Sequence, residues 1–459
     1  MGLTFTKRRR RINILGWPTD VISIDPKPNG DSCDRDVRSL LVHTVIFWIP
    51  GNPGQYNWYN SDFMDVLSGL GEGYALRSVS HAGHGLFGTG KGDYGNNDDN
   101  SITDVKEHCR FRGNRDVTGS ACPLVPWTVE GQVLHKIAYI DSLLSSIGKK
   151  NYRYKTFAQN QHAHKNEQNF EFSKDLKLIL IGHSFGCHII QRMCVLRPDI
   201  LERVSGYLFL MPYIRTKPSS PMDQRKLDFS GSLDELPIAV GTKLSRIVSS
   251  FPDSMVRNLI RKGLRDGSDS DGNGFFDGAN ETIVNVTASL LANSVYPRNF
   301  FELGLEEIRD IPNEIDVVAF RLLSSYRTQL SQKIELRKQQ QQQQHRPIFI
   351  LYAGDNDQWC PSFHGEEIKA LQSANLLPRS IRTTKMSGLR HDYVCLSRSK
   401  RARVNHWIIS NISNGIKNVV IPRNDITADH SVSRNHNNTA VDGGFSTSVP
   451  KRPKLPSKL

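Results

Sequence analysis

Residues 182–186 read Gly-His-Ser-Phe-Gly, the pattern G-x-S-x-G. A serine hydroxyl is a weak nucleophile unless a general base lies beside it and the backbone leaves it clear. Glycines at 182 and 186 permit the tight strand-to-helix turn that exposes such a hydroxyl. Ser184 is therefore the expected nucleophile. The apolar run LKLILI precedes it and a helical run follows, so the turn has both flanks it needs. An ordinary glycine-rich turn is the plainer reading, and those flanks speak against it.

In this arrangement an acid and then a histidine follow the serine along the chain. After the apolar run PIFILY comes Gly354-Asp355-Asn356-Asp357-Gln358-Trp359-Cys360-Pro361. Asp357 is the expected acid, and Asp355 is the fallback. His391, in Gly388-Leu389-Arg390-His391-Asp392, is the expected base, with His406 and His364 as rivals. His391 would take the proton from Ser184 and pass it to the leaving group. Asp357 would orient the ring and stabilise its cation. An oxyanion needs two backbone N–H donors. Phe185, directly after the nucleophile, is one. The loop Pro50-Gly51-Asn52-Pro53-Gly54 supplies the other. Pro53 has no N–H, so Asn52 is the better donor. No metal or organic cofactor is implied.

The elements that must position these residues alternate in type. Val42–Ile49, Tyr74–Ser80, Leu176–Ile181, Gly206–Met211, Pro347–Tyr352 and Ile381–Met386 have strand character. Trp127–Leu144 and Cys187–Leu196 have apolar residues at helical spacing. The expectation is an α/β-hydrolase fold, a mostly parallel sheet with helices on both faces. The catalytic domain is expected over residues 20–417. Residues 216–336, with few strand signals, are expected to form a helical cap. Segments 86–126, 154–173 and the glutamine run 339–344 are expected loop insertions. They account for a hydrophobic fraction of only 38%.

The net charge of +13 is concentrated at Lys7–Arg11 and beyond residue 415. Residues 1–19 are expected to be a basic segment, and 418–459 a disordered basic tail. No groove-reading or base-stacking motif accompanies the charge, which argues against nucleic acid as a partner. Seven scattered cysteines with no C-x-x-C pair suggest neither zinc nor a disulfide framework. No apolar run is long enough to span a membrane, and the first residues do not form a secretory signal. His81 and His84 invite a metal reading but lack a third ligand, so packing beside the site is expected. Asp269-x-Asp271-x-Asn273-Gly274 begins like a calcium loop, with the acidic Glu281 one place late. Met1-Gly2 followed by basic residues fits a myristoylation pattern, and the plain reading is a chance start. The terminal Ser457-Lys458-Leu459 fits the signal read by the peroxisomal import receptor.

Seven segments, taken in order, resemble the lipid droplet-associated hydrolase family. They are IPGNPG at 49–54, SHAGHG at 80–85, EGQVLHKIAYID at 130–141, GHSFG at 182–186, FLMPYI at 209–214, DQWCP at 357–361 and RHDYV at 390–394. The resemblance implies a Ser184–Asp357–His391 triad and action on a lipid ester, a sterol ester or an acylglycerol, at a lipid-droplet surface. A lipid-surface protein with vestigial activity and a peroxisomal acyl-CoA thioesterase are the alternatives. The 86–126 insertion, the glutamine run and the basic tail depart from the family. Phe185 stands where a small or aliphatic residue is expected, and its ring would narrow the acyl pocket.

Overall fold

The computed structural model describes residues 4–27, 41–85, 128–145, 171–215, 247–248, 250–266, 278–291, 296–325, 345–354, 357 and 359–416. Asp355, Gly2, residues 86–126, the glutamine run, the Asp269–Gly274 loop and the terminal Ser457–Leu459 lie outside them.

Eight strands form one sheet in the order β1-β2-β4-β3-β5-β6-β7-β8. They are β1 (Thr4–Ile14), β2 (Trp17–Lys27), β3 (Leu41–Ile49), β4 (Tyr74–Val79), β5 (Glu171–His183), β6 (Val204–Leu210), β7 (Ile348–Ala353) and β8 (Ile381–Met386). β2 runs antiparallel to β1 and β4, and every other pairing is parallel. Continuous apolar runs suit strands covered on both faces. Val45 through Ile49 and Leu208 through Leu210 are accordingly fully buried. The helices are α1 (Asn60–Leu70), α2 (Val129–Leu144), α3 (Phe185–Leu196), α4 (Asp253–Asp266), α5 (Gly278–Leu291), α6 (Tyr296–Asp310), α7 (Val317–Ser324), α8 (Phe363–Ser373) and α9 (Arg398–Ser410). Helices cover both faces of the sheet, with α1 against α9 and α3 against α2 and α7. This is the α/β-hydrolase fold. No described helix is long and apolar enough to cross a membrane.

The basic amino terminus is part of this sheet, which corrects the reading of residues 1–19 as a separate segment. β1 pairs with β2 along its whole length, from Thr4↔Lys27 to Ile14↔Trp17. Leu15 and Gly16 turn the hairpin with φ of 52° and 87°. Two successive positive φ values match the twist of the flanking strands, but leucine is a poor signal for such a turn. Charge on an edge strand also discourages pairing with another chain. Arg11 donates from Nε to buried Asp20, 2.8 Å away. Arg77 of β4 and Asp25 of β2 form a fully buried ion pair at 2.6 Å. A charge run therefore hid a strand.

Two further boundaries move. β5 begins at Glu171, inside the polar segment 154–173, because Leu41 and Val42 extend the ladder to Glu171 and Phe172. α7 falls inside the expected cap of 216–336 but belongs to the body of the sheet. Its Phe320 and Leu323 are fully buried in the main core, and Phe320 meets Phe209 of β6 edge to face.

Candidate active site

In open α/β sheets, ligand sites lie at the carboxyl ends of the strands where the order of connection reverses. Here that place is β3 and its neighbour β5: the chain first steps from β3 to β4, then returns to β5 on the other side. Ser184 follows β5, and the Pro50–Gly54 loop follows β3. Ser184 has φ 51° and ψ −123°, a conformation that L residues rarely adopt. The glycines of the motif are needed for space. A Cβ at Gly186 would fall 2.3 Å from the Ile49 carbonyl oxygen, and one at Gly182 would fall 2.7 Å from the Cys187 nitrogen. Neither neighbour is a side chain that can swing away.

His391 Nε2 lies 2.6 Å from Ser184 Oγ, and His391 Nδ1 lies 3.1 Å from Asp357 Oδ2. The three residues chosen from the sequence are thus one hydrogen-bonded row. The second oxygen of Asp357 accepts from the amides of Trp359 and Cys360, at 2.9 and 3.0 Å. One oxygen is held by the backbone and the other is aimed at the histidine. Burial works to raise the Asp357 carboxyl. Its bond to His391 and the two amides outweigh burial, so the group sits below the usual carboxylate range. His406 is exposed on α9. His364 is buried, and burial together with Arg215 pushes its pKa down to about 4. Neither is bonded to Ser184.

The loop after β3 touches the nucleophile directly. A Cβ at Gly51 would fall 2.8 Å from Ser184 Cβ. The Gly51 N–H donates to the Tyr59 hydroxyl, and the Gly54 N–H to the Gly51 carbonyl. Pro53 has none. Among the described residues the Asn52 N–H is the uncommitted donor of this loop. Phe185 opens α3, where the first N–H groups have no partner within the helix and the dipole favours an anion. The Phe185 ring is fully buried and packs between His81, edge to face, and His188.

Sequence reasoning missed the groups that hold this arrangement. His183, the variable residue of the motif, lies between two anchors. Its Nε2 is 2.9 Å from the His391 carbonyl oxygen, which can only accept. Nε2 therefore carries the proton, and Nδ1 accepts from the Tyr59 hydroxyl at 2.7 Å. Burial, then the nearby His391, lowers the His183 pKa to about 3, so the ring is neutral. Tyr59 thus links the Gly51 amide to His183, and His183 links that loop to the backbone of His391. Three loops far apart in sequence share one chain of hydrogen bonds.

The family-like segments have comparable tasks. Gln132 of α2 pairs with both backbone groups of Ala82, at 2.9 and 3.0 Å. His81 and His84 are fully buried, and a Cβ on Gly54 would strike the His81 ring. The loop packs beside the site, as expected of SHAGHG. α6 covers both loops. Asn299 donates to the Gly83 carbonyl at 2.7 Å, Tyr296 to that of Pro53 at 3.3 Å, and the Asn52 carboxamide to that of Phe300 at 3.4 Å. Glu281 is engaged by Arg261 through both oxygens, so it is committed within the α4–α5 pair.

The family model for lipid-droplet associated hydrolases matches residues 42–394. A lipid droplet-associated hydrolase of Gallus gallus is 25% identical over 398 residues, covering 86% of this chain and 93% of that protein. The Homo sapiens protein of the same name is 22% identical, covering 71% and 73%. Among solved structures, a laboratory-evolved potato epoxide hydrolase aligns with a TM-score of 0.46 at 13% identity, covering 89% of this chain and 99% of that one. An epoxide hydrolase of Vigna radiata aligns with a TM-score of 0.42 at 14% identity, covering 89% and 98%. The sequence match spans every element that builds the site, from β3 to the loop bearing His391: the chain belongs to the lipid-droplet associated hydrolase family.

Proposed function

We propose that the chain is a serine carboxylic-ester hydrolase that acts on a lipid ester, a sterol ester or an acylglycerol, at a lipid-droplet surface. The observation that carries this reading is the row Ser184 Oγ, His391 Nε2, His391 Nδ1, Asp357 Oδ2, with contacts of 2.6 and 3.1 Å. His391 removes the proton as Ser184 Oγ attacks the ester carbonyl carbon. The negative charge that develops on the carbonyl oxygen meets the Asn52 and Phe185 N–H groups. Collapse breaks the bond to the alcohol, which leaves with the proton from His391. A water then attacks the acyl-enzyme by the same route and frees the acid.

A surface feature supports a lipid interface. Ile247, Phe251, Met255 and Leu259 follow one another at intervals of four residues along and before α4, and all are exposed. Val256, on another side of that helix, is buried. A file of exposed apolar side chains suits the boundary of a lipid layer.

A fluorophosphonate probe tests the chemistry. It should label the wild type and leave Ser184→Ala unlabelled. Lipid extracts from cells with and without the protein should then differ in one ester class. A protein that reaches droplets but takes no label would be a surface protein without this activity.

A further inference from the structure

α9 reads RSKRARVNHWIIS, with four basic side chains and no acidic one. Ala402, Arg403, His406, Trp407 and Ser410 recur at helical spacing, so they share one face. That face and Met386, the last residue of β8, line a groove of about 510 Å³ that opens to solvent. None of the triad residues lines it. β8 ends the sheet, so the groove lies at the rim of the molecule's core.

The floor of the groove is apolar. Trp407 belongs to the main core and Met386 packs against it. Arg403 and His406 stand exposed in its wall. Arg403 Nη2 donates to the Ser387 carbonyl at 3.0 Å, which holds the guanidinium in place. Its other N–H groups have no hydrogen-bond partner among the described residues, and neither has the His406 ring. No carboxylate lines the groove. Asp62 and Asp65 meet α9 through Asn405, on a different face of the helix.

A concave, mostly apolar site with a few convergent polar groups is the usual form of a small-molecule site. A guanidinium fork matches a carboxylate, and a fixed one loses less freedom on binding. From Ser399 to Ser410 the groove follows α9 for about 16 Å. An acyl chain is about 15 Å long, half of the hydrocarbon core of a bilayer.

We propose that this groove binds a free fatty acid, with its carboxylate on Arg403 and His406 and its chain over Trp407 and Met386. Such an acid is the product of the ester hydrolysis proposed above, and the choice of ligand rests in part on that reading. The groove is a second lipid site, apart from Ser184.

The probe is dodecanoate with a photoreactive diazirine on its chain, used below its micelle concentration. The protein is first treated with fluorophosphonate, which blocks Ser184. Irradiation and peptide mapping should place the adduct between Met386 and Asn411. Dodecanoate should compete for this site about tenfold better than dodecanol, which has the same chain and no carboxylate. Arg403→Met should weaken dodecanoate about tenfold and leave dodecanol unchanged. Ala402→Trp, which fills the groove from its exposed wall, should remove the adduct. An adduct elsewhere, or equal competition by the two lipids, overturns the proposal and needs no variant to fold. Unchanged dodecanoate binding by folded Arg403→Met overturns it too. An adduct in the groove of a protein that takes no fluorophosphonate supports the site and sinks the hydrolase reading. Fluorophosphonate labelling without that adduct does the reverse.

Discussion

The Nε2–H of His183 donates to the carbonyl oxygen of His391 across 2.9 Å, joining the residue before the nucleophile to the backbone of the base. The same ring accepts from Tyr59, which holds the Gly51 amide. The position of His391 over Ser184 and the position of the Pro50–Gly54 loop are therefore tied together by one neutral imidazole.

Tyr59→Phe removes the hydroxyl at the centre of this chain. It leaves the Gly51 N–H and His183 Nδ1 buried without partners. Turnover should fall about tenfold or more, since small displacements at a reacting centre are costly. KM for a soluble p-nitrophenyl ester should change little. A normal kcat in a folded variant would show that the link does not position the site.

Ser184→Ala, Asp357→Ala and His391→Ala should each lose activity by about a thousandfold or more with melting cooperative and near normal. Paired losses should not add, because the three act as a unit. Mild loss in Asp357→Ala beside severe loss in Asp355→Ala would move the acid.

Gly186→Ala places a methyl 2.3 Å from the Ile49 carbonyl oxygen, and Gly51→Ala places one 2.8 Å from Ser184 Cβ. The first collision is with backbone and should sharply reduce soluble protein. The second should give folded protein with little activity. Expression and melting of the two variants, side by side, check the order.

Burial holds the Glu307 carboxyl well above its ordinary 4.5 in the folded chain. A carboxyl raised in this way favours folding only at pH below the unfolded value. As pH climbs from there toward the folded value, the unfolded chain ionises first and stability is lost. Glu307→Gln removes that loss. The melting temperature of the variant relative to wild type should rise as pH climbs above the ordinary carboxyl value of 4.5. A difference that stays flat over this window contradicts the protonated state.

Met255→Glu and Leu259→Glu put charge on the exposed file before and along α4. Retention on oil droplets coated with phospholipid should drop severalfold, while turnover of a soluble ester holds within about twofold. Undiminished retention by the double variant would move the lipid contact elsewhere.

Much of this was legible in the chain because it depends on local order. Two glycines around a serine, an apolar run before them and a helical pattern after them determine the elbow, since the steric demand acts within five residues. The continuous apolar strands named the sheet for the same reason, and the acid and base followed from their place after two of those strands. The amino-terminal hairpin was hidden, because its charge run masks the strand, Arg11 being paired with Asp20 only across the hairpin, and its turn uses Leu15. His183 and Tyr59 also have no pattern of their own. Their meaning comes from neighbours up to 208 residues away. A hydrogen bond is decided by angstroms and by the absence of water, and only the packed sheet, with α6 over the loops that follow β3 and β4, supplies both.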